Sequence, residues 1–133
     1  MKAESKGHVF MTLGPDILIY QYMKNQERKR AMNKKIKTEA VDHLFQAILT
    51  LKSPEECYIF FEDVCTINEL LSLSQRYEVA KMLREGKTYL EIAERTGAST
   101  ATISRVNRSL NYGNDGYDMV FARLGDKKEE TEE

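Results

Sequence analysis

Residues 88–108 read TYLEIAERTGASTATISRVNR, and the fold is decided by how this stretch is punctuated. Thr88-Tyr89-Leu90-Glu91 has the form of a capping box, in which a threonine hydroxyl and a glutamate three residues on satisfy free N–H groups at a helix start. It opens a short helix through Thr96 that Gly97 closes, and Ser99 caps a second helix over about 100–110. Ala93, Gly97 and Ile103 stand at relative positions 0, +4 and +10. Two helices that cross steeply through a tight turn need a small residue where they touch, which Ala93 supplies. The turn needs a residue that tolerates positive φ, which Gly97 supplies. Ile103, Val106 and Leu110 recur at helical spacing and are the inward anchors of the second helix. What remains outward is Ser99, Thr100, Ala101, Ser104, Arg105 and Arg108. Such a helix-turn-helix suits the DNA major groove. Small side chains allow close approach, hydroxyls reach bases or phosphates, and arginine pairs with guanine through two hydrogen bonds. Ser99, Thr100, Ala101, Ser104 and Arg105 are the expected base readers. Arg84, Lys87 and Arg108 are the expected phosphate contacts.

Outward from this pair, the chain keeps a helical grammar. Val41, Leu44, Phe45, Ile48 and Leu49 follow i, i+3, i+4, i+7, i+8 spacing and make one apolar face. Ser53-Pro54-Glu55-Glu56 reads as a helix start, with serine as N-cap and proline at the first helical position. That helix stops near Cys65, because Thr66-Ile67-Asn68-Glu69 is another capping box. It opens a long helix over about 67–85, which Gly86 ends. After a turn at Gly113-Asn114-Asp115-Gly116, residues 117–124 form a last short helix braced by Tyr112 and Tyr117. The expectation is an all-α domain of six helices over 36–125, between a flexible leader (1–35) and a disordered charged tail (126–133). Its short helices bury a limited core alone, so a second chain sharing that core is expected.

Charge places the partners. The 133 residues hold 20 bases and 21 acids, for a net charge of -1, which taken alone argues against nucleic acid. The distribution argues otherwise. Residues 24–37 hold seven bases against one acid, residues 38–75 seven acids against Lys52 alone, and residues 76–110 seven bases against four acids. The run at 24–37 is read as part of the solvated leader, with a nucleic-acid arm as its other reading. The functional domain is expected to begin near Met32, where the capped helices start. No apolar run approaches the roughly 18 residues of a membrane span, and Gly14-Pro15-Asp16 breaks the N-terminal apolar stretch that could pass for a signal sequence. Cys57 and Cys65 are too few for a disulfide framework and read as buried thiols. With two histidines and no phosphate-loop or nucleophile motif, no catalysis and no metal site are expected.

The stretch GASTATISRVNRSL (97–110), together with the long helix before it, resembles the tryptophan repressor family, and within it the TrpR-like YerC/YecD branch. The resemblance extends over about 36–125. It implies an intertwined all-helical homodimer whose heads read a palindromic operator on double-stranded DNA, in the cytoplasm, most simply as a repressor. It also implies an effector pocket. Arg76 and Arg105 match the two arginines that hold tryptophan in the family repressor, and Thr66, Thr102 and Ser109 match smaller positions of that pocket. One departure is decisive for the ligand. The family repressor has glycine directly after the reading-helix arginine, and Val106 stands there in this chain. An isopropyl group at a close-packed contact is a clash, so tryptophan is not expected as corepressor and no cofactor is assigned. The competing reading is a helical protein–protein adaptor whose working surface is the acidic first half and whose helix-turn-helix no longer binds DNA.

Overall fold

A computed structural model of the chain describes residues 15–30 and 35–132. Its regular structure among these residues is entirely helical: α1 (Pro15–Arg30), α2 (Glu39–Ile48), α3 (Pro54–Val64), α4 (Ile67–Arg84), α5 (Tyr89–Thr96), α6 (Thr100–Tyr112) and α7 (Gly116–Glu132). The chain divides into two units between Gln46 and Ala47.

In the first unit, α1 corrects the expectation of an unstructured leader over Pro15–Arg30, and the described residues hold seven helices where six were expected. Pro15-Asp16, read as part of a break, is a helix start. Pro15 takes a position where its missing N–H costs nothing, and Asp16 sits in the first turn, where a carboxylate meets the positive end of the helix dipole. No glycine or proline follows until well past Arg30. Leu18, Ile19, Tyr20, Tyr22 and Met23 are all exposed on α1. The expected chain start near Met32 lies outside the described residues.

The second unit is built on α4–α7. Val79, Ala80 and Met82 of α4, Ile92 of α5, Ala98 of the turn, and Ile103, Val106 and Leu110 of α6 form one buried cluster. Tyr117 and Phe121 of α7 pack against it. The Phe121 ring lies 5.5 Å from Tyr77 and 6.3 Å from Tyr117. Tyr117 therefore braces α7 as expected, whereas Tyr112 is 86% exposed and braces nothing. α7 runs on through Glu132, past the expected end at Leu124. The segment after Gly125 is rich in lysine and glutamate, good helix formers, and the tail is helical to that point instead of disordered.

The caps follow the sequence closely. Ser53 Oγ accepts from Glu56 N at 3.2 Å, and Thr66 Oγ1 from Glu69 N at 3.1 Å. The Glu56 carboxylate reaches back to the Lys52 N–H, not to the cap residue's own N–H. α4 ends in a Schellman motif: Gly86 N donates to Leu83 O and Lys87 N to Met82 O, both at 3.1 Å, with Gly86 at φ +78°. α2 and α3 hold no buried residue. Ile67 (76% exposed) and Leu71 (61%) leave the first turns of α4 open as well. Cys57 is exposed and Cys65 half-buried, so Cys57 is not the buried thiol expected. Among the described residues, no helix is long and apolar enough to cross a membrane.

Candidate nucleic-acid interface

The helix pair is held by local hydrogen bonding. Thr88 completes both halves of its capping box. Its Oγ1 accepts from Glu91 N at 3.2 Å, and its N–H donates to Glu91 Oε2 at 2.8 Å. That backbone N–H is the main reason the Glu91 carboxyl titrates below its ordinary range. Gly97 turns the chain at φ +70°, with its N–H on the Ala93 carbonyl at 2.9 Å. Thr96 Oγ1 donates to Ile92 O at 2.6 Å and accepts from Ala98 N at 3.2 Å. Gln75 of α4 donates to the Thr96 carbonyl at 3.0 Å, which ties the turn to the long helix. Sequence reading missed Gln75 and Thr96, since a bond spanning 21 residues has no local signature.

α6 then sorts its side chains. Ile103, Val106 and Leu110 face the core, and Ser99, Thr100, Ala101, Ser104, Arg105 and Arg108 are exposed, as the spacing predicted. Ser99 is committed to its own helix. Its Oγ accepts from Thr102 N and donates to Thr102 Oγ1, both at 3.1 Å. Its hydroxyl proton is thereby used, and the part it plays in the structure is to cap α6.

Arg84 is a correction. Its Nε and Nη2 donate to the two oxygens of Asp118 at 2.8 Å each, and Nη2 also reaches Leu110 O at 3.2 Å. The fork expected on phosphate instead joins α4 to α7 and to the last turn of α6, because Asp118 offers a carboxylate of matching geometry. These hydrogen bonds, ahead of the opposing effect of burial, hold the Asp118 carboxyl below its ordinary range. Lys87 closes the Schellman motif through its backbone, and its side-chain charge helps to hold the Glu91 carboxyl down.

Four of the five expected effector residues converge. Arg76, Thr102, Arg105 and Ser109 line one cleft of about 320 Å³ between α4 and α6. Ser72, Gln75 and Tyr117, not anticipated, complete its walls. Val106 also lines it while only 3% exposed, so its side chain belongs to the core. Thr66 does not line this cleft and instead caps α4. No acid lines it. Among the described residues, no group of three or more His, Cys, Asp or Glu could hold a metal.

A left-handed glycine turn between two capped helices, the second exposing small polar groups and arginine over a buried apolar stripe, is a helix-turn-helix head. The chain belongs to the family described as Trp repressor protein, whose model matches residues 39–125. It is a family of non-enzymatic DNA-binding regulators. YerC of Bacillus subtilis strain 168 is 61% identical over 98 residues, covering 74% of this chain and 92% of YerC. A solved TrpR-like protein from Eubacterium eligens ATCC 27750 is 80% identical with a TM-score of 0.69, covering 70% of this chain and 96% of that one. A solved Staphylococcus aureus chain, described as a prospective Trp repressor, is 58% identical with a TM-score of 0.67, covering 69% and 92%. The resemblance read from 97–110 thus holds across the whole helical domain.

Proposed function

We propose that this chain is a sequence-specific transcriptional repressor that acts as a homodimer on a palindromic operator in the cytoplasm. The observation that carries the reading is the split of α6: Ile103, Val106 and Leu110 buried, and Thr100, Ala101, Ser104, Arg105 and Arg108 exposed on one reading surface. Arg105 reads a base edge, Ser104 and Thr100 fit beside it, and Arg108 and Lys87 hold flanking phosphates. The dimer is supported by the uncovered apolar groups of α2, α3 and early α4, among them Phe45, Ile59, Ile67 and Leu71. Two-fold symmetry sets two copies of α6 about 34–36 Å apart, one turn of DNA. Bound over a promoter, such a dimer represses by occupying it.

Tryptophan is not its corepressor in this reading. Val106 stands directly after Arg105, where the family repressor has glycine, and it lines the cleft from the core side, so an indole packed against that backbone would meet an added isopropyl group. The deciding experiment is selection of bound sequences from random DNA, with and without free amino acids, followed by binding to the selected site at several salt concentrations. Enrichment of a palindrome with affinity that falls as salt rises supports the proposal. Absent or salt-insensitive binding overturns it in favour of a protein adaptor, and tryptophan-dependent enrichment overturns the assignment of Val106.

A further inference from the structure

Polar bonds join the reading helix to α4 at both of its ends. After α6, Arg84 Nη2 donates to the Leu110 carbonyl at 3.2 Å. Before α6, the bond falls on the turn that leads into it. Gln75 Nε2 donates to the Thr96 carbonyl at 3.0 Å. A helix leaves its last carbonyls without donors of its own, and Thr96 is the last residue of α5. The neighbouring groups of the turn are met locally. Gly97 N donates to Ala93 O, and Thr96 Oγ1 donates to Ile92 O and accepts from Ala98 N. The Thr96 carbonyl is the group through which the turn is bonded to another element.

Gln75 makes this bond between two openings in the packing. Ile92 and Ala98 hold the turn to the buried cluster, but a cleft lies on either side of Gln75. One, of about 570 Å³, separates α4 from the end of α5 and is lined among others by Ser74, Glu78, Arg95 and Thr96. The other is the cleft of about 320 Å³ between α4 and α6. Gln75 lines both. Apolar burial is non-directional, whereas a hydrogen bond weakens steeply as it bends. The core therefore holds the head against α4, and the bond from Gln75 fixes how the turn, and α6 after it, is tilted. We propose that Gln75 is a positioning residue for operator recognition, which sets the angle of α6 and with it the half-site spacing that a dimer accepts. It is half-buried and uncharged, so it acts through the turn and not on phosphate. The inference rests on the reading of this chain as a dimeric operator binder. In such a dimer both heads project from a shared core, so a tilt of α6 against α4 changes the separation of the two reading helices.

The test uses the full chain with Gln75→Met, which keeps an unbranched, helix-favouring side chain and removes the donor. The duplexes carry the selected half-sites with the native spacer, or with the spacer longer or shorter by about one or two base pairs. The native chain should prefer one spacer, and Gln75→Met should bind that site roughly tenfold more weakly. Neighbouring spacers should lose less, so that the optimum broadens or moves. Affinity and salt slope on a random duplex should stay as they were, because the substitution changes no charge. Gln75→Glu, of the same size but without a donor when ionised, should relax the optimum too. Gln75→Lys retains a donor that a C-terminal carbonyl can accept and should hold the native optimum. Circular dichroism melts set an assay temperature at which each variant is folded, and a loss of stability alone would weaken every spacer equally. A folded methionine or glutamate variant that keeps the native optimum overturns the positioning role while leaving the operator reading intact. So does a lysine variant that loses it. A native chain with no preferred spacer removes the dimeric operator reading, and this inference with it.

Discussion

Arg105 belongs to two places at once. It is exposed on the reading surface of α6, and it lines the cleft that Arg76 shares from α4. The first place predicts that Arg105→Ala costs roughly 1–3 kcal/mol in operator binding and relaxes the preference at one base position; equal affinity in a titration of the selected operator would remove it from base reading. The second place bears on the ligand. Millimolar tryptophan should leave the melting temperature unchanged, since a ligand stabilises a protein only by binding its folded state, and a shift that grows with tryptophan concentration would show that Val106 gives way. Arg84 makes a different kind of prediction. Its bond holds Asp118 ionised, so the folded carboxyl titrates below its unfolded value. The stabilisation is fully present above the ordinary carboxylate pKa of about 4 and is lost as pH falls through the lower folded value. Asp118→Asn should therefore cost up to about 1 kcal/mol near neutral pH, a modest figure because both side chains are about 40% exposed. The difference from the native chain should vanish in strong acid, and thermal melts across the acid range check both ends.

Elements succeed or fail at their ends, and the turn between α5 and α6 shows why the fold was readable. Thr88, Glu91, Gly97 and Ser99 each do locally what their chemistry suggests, within four residues of their partners. Thr88→Ala should destabilise the second unit by about 1 kcal/mol through removal of the cap. Gly97→Ala should cost about 1–2 kcal/mol from its φ of +70° alone, since a Cβ there meets nothing within 4 Å. Gly97→Asn should cost less, because asparagine tolerates the left-handed region; denaturant melts that rank asparagine below alanine would overturn this account of the turn. The same local grammar misled at Pro15-Asp16, because proline punctuates both a break and a helix start, and only the run of residues after it decides. It was silent on Arg84–Asp118 and on Gln75–Thr96. Those partners stand 34 and 21 residues apart and are brought together by packing alone. The cleft between α4 and α6 was read in part for the same reason: Thr102, Arg105 and Ser109 share one face of α6, whereas Ser72 and Tyr117 join them only through the crossing of helices.

At the scale of the whole molecule, net charge and apolar surface both require knowing where things sit. The sum of -1 concealed a basic segment at 24–37 and an acidic stretch at 38–75, and no composition could separate them. The apolar stripe of residues 41–49 was legible as a helix face, but its periodicity implied burial, and in the single chain it is not buried: Phe45 is 54% and Leu49 83% exposed. Helix periodicity reports that a face will be covered and is silent on whether the cover is the same chain. Ile67 and Leu71 bring this to a test. They lie four residues apart on one side of α4 and are exposed in the protomer. Replacing both by glutamate thus removes little from the protomer's own core, whereas at an interface it buries two unpaired charges, which association does not tolerate. The native chain should sediment as a dimer at micromolar concentration and melt at a temperature that rises with concentration. The double variant should sediment as a monomer, lose its concentration dependence and bind the palindrome far more weakly, since one head then reads one half-site. A native chain that is monomeric at every concentration would overturn the dimer and leave the exposed faces of α2 to α4 in need of another partner.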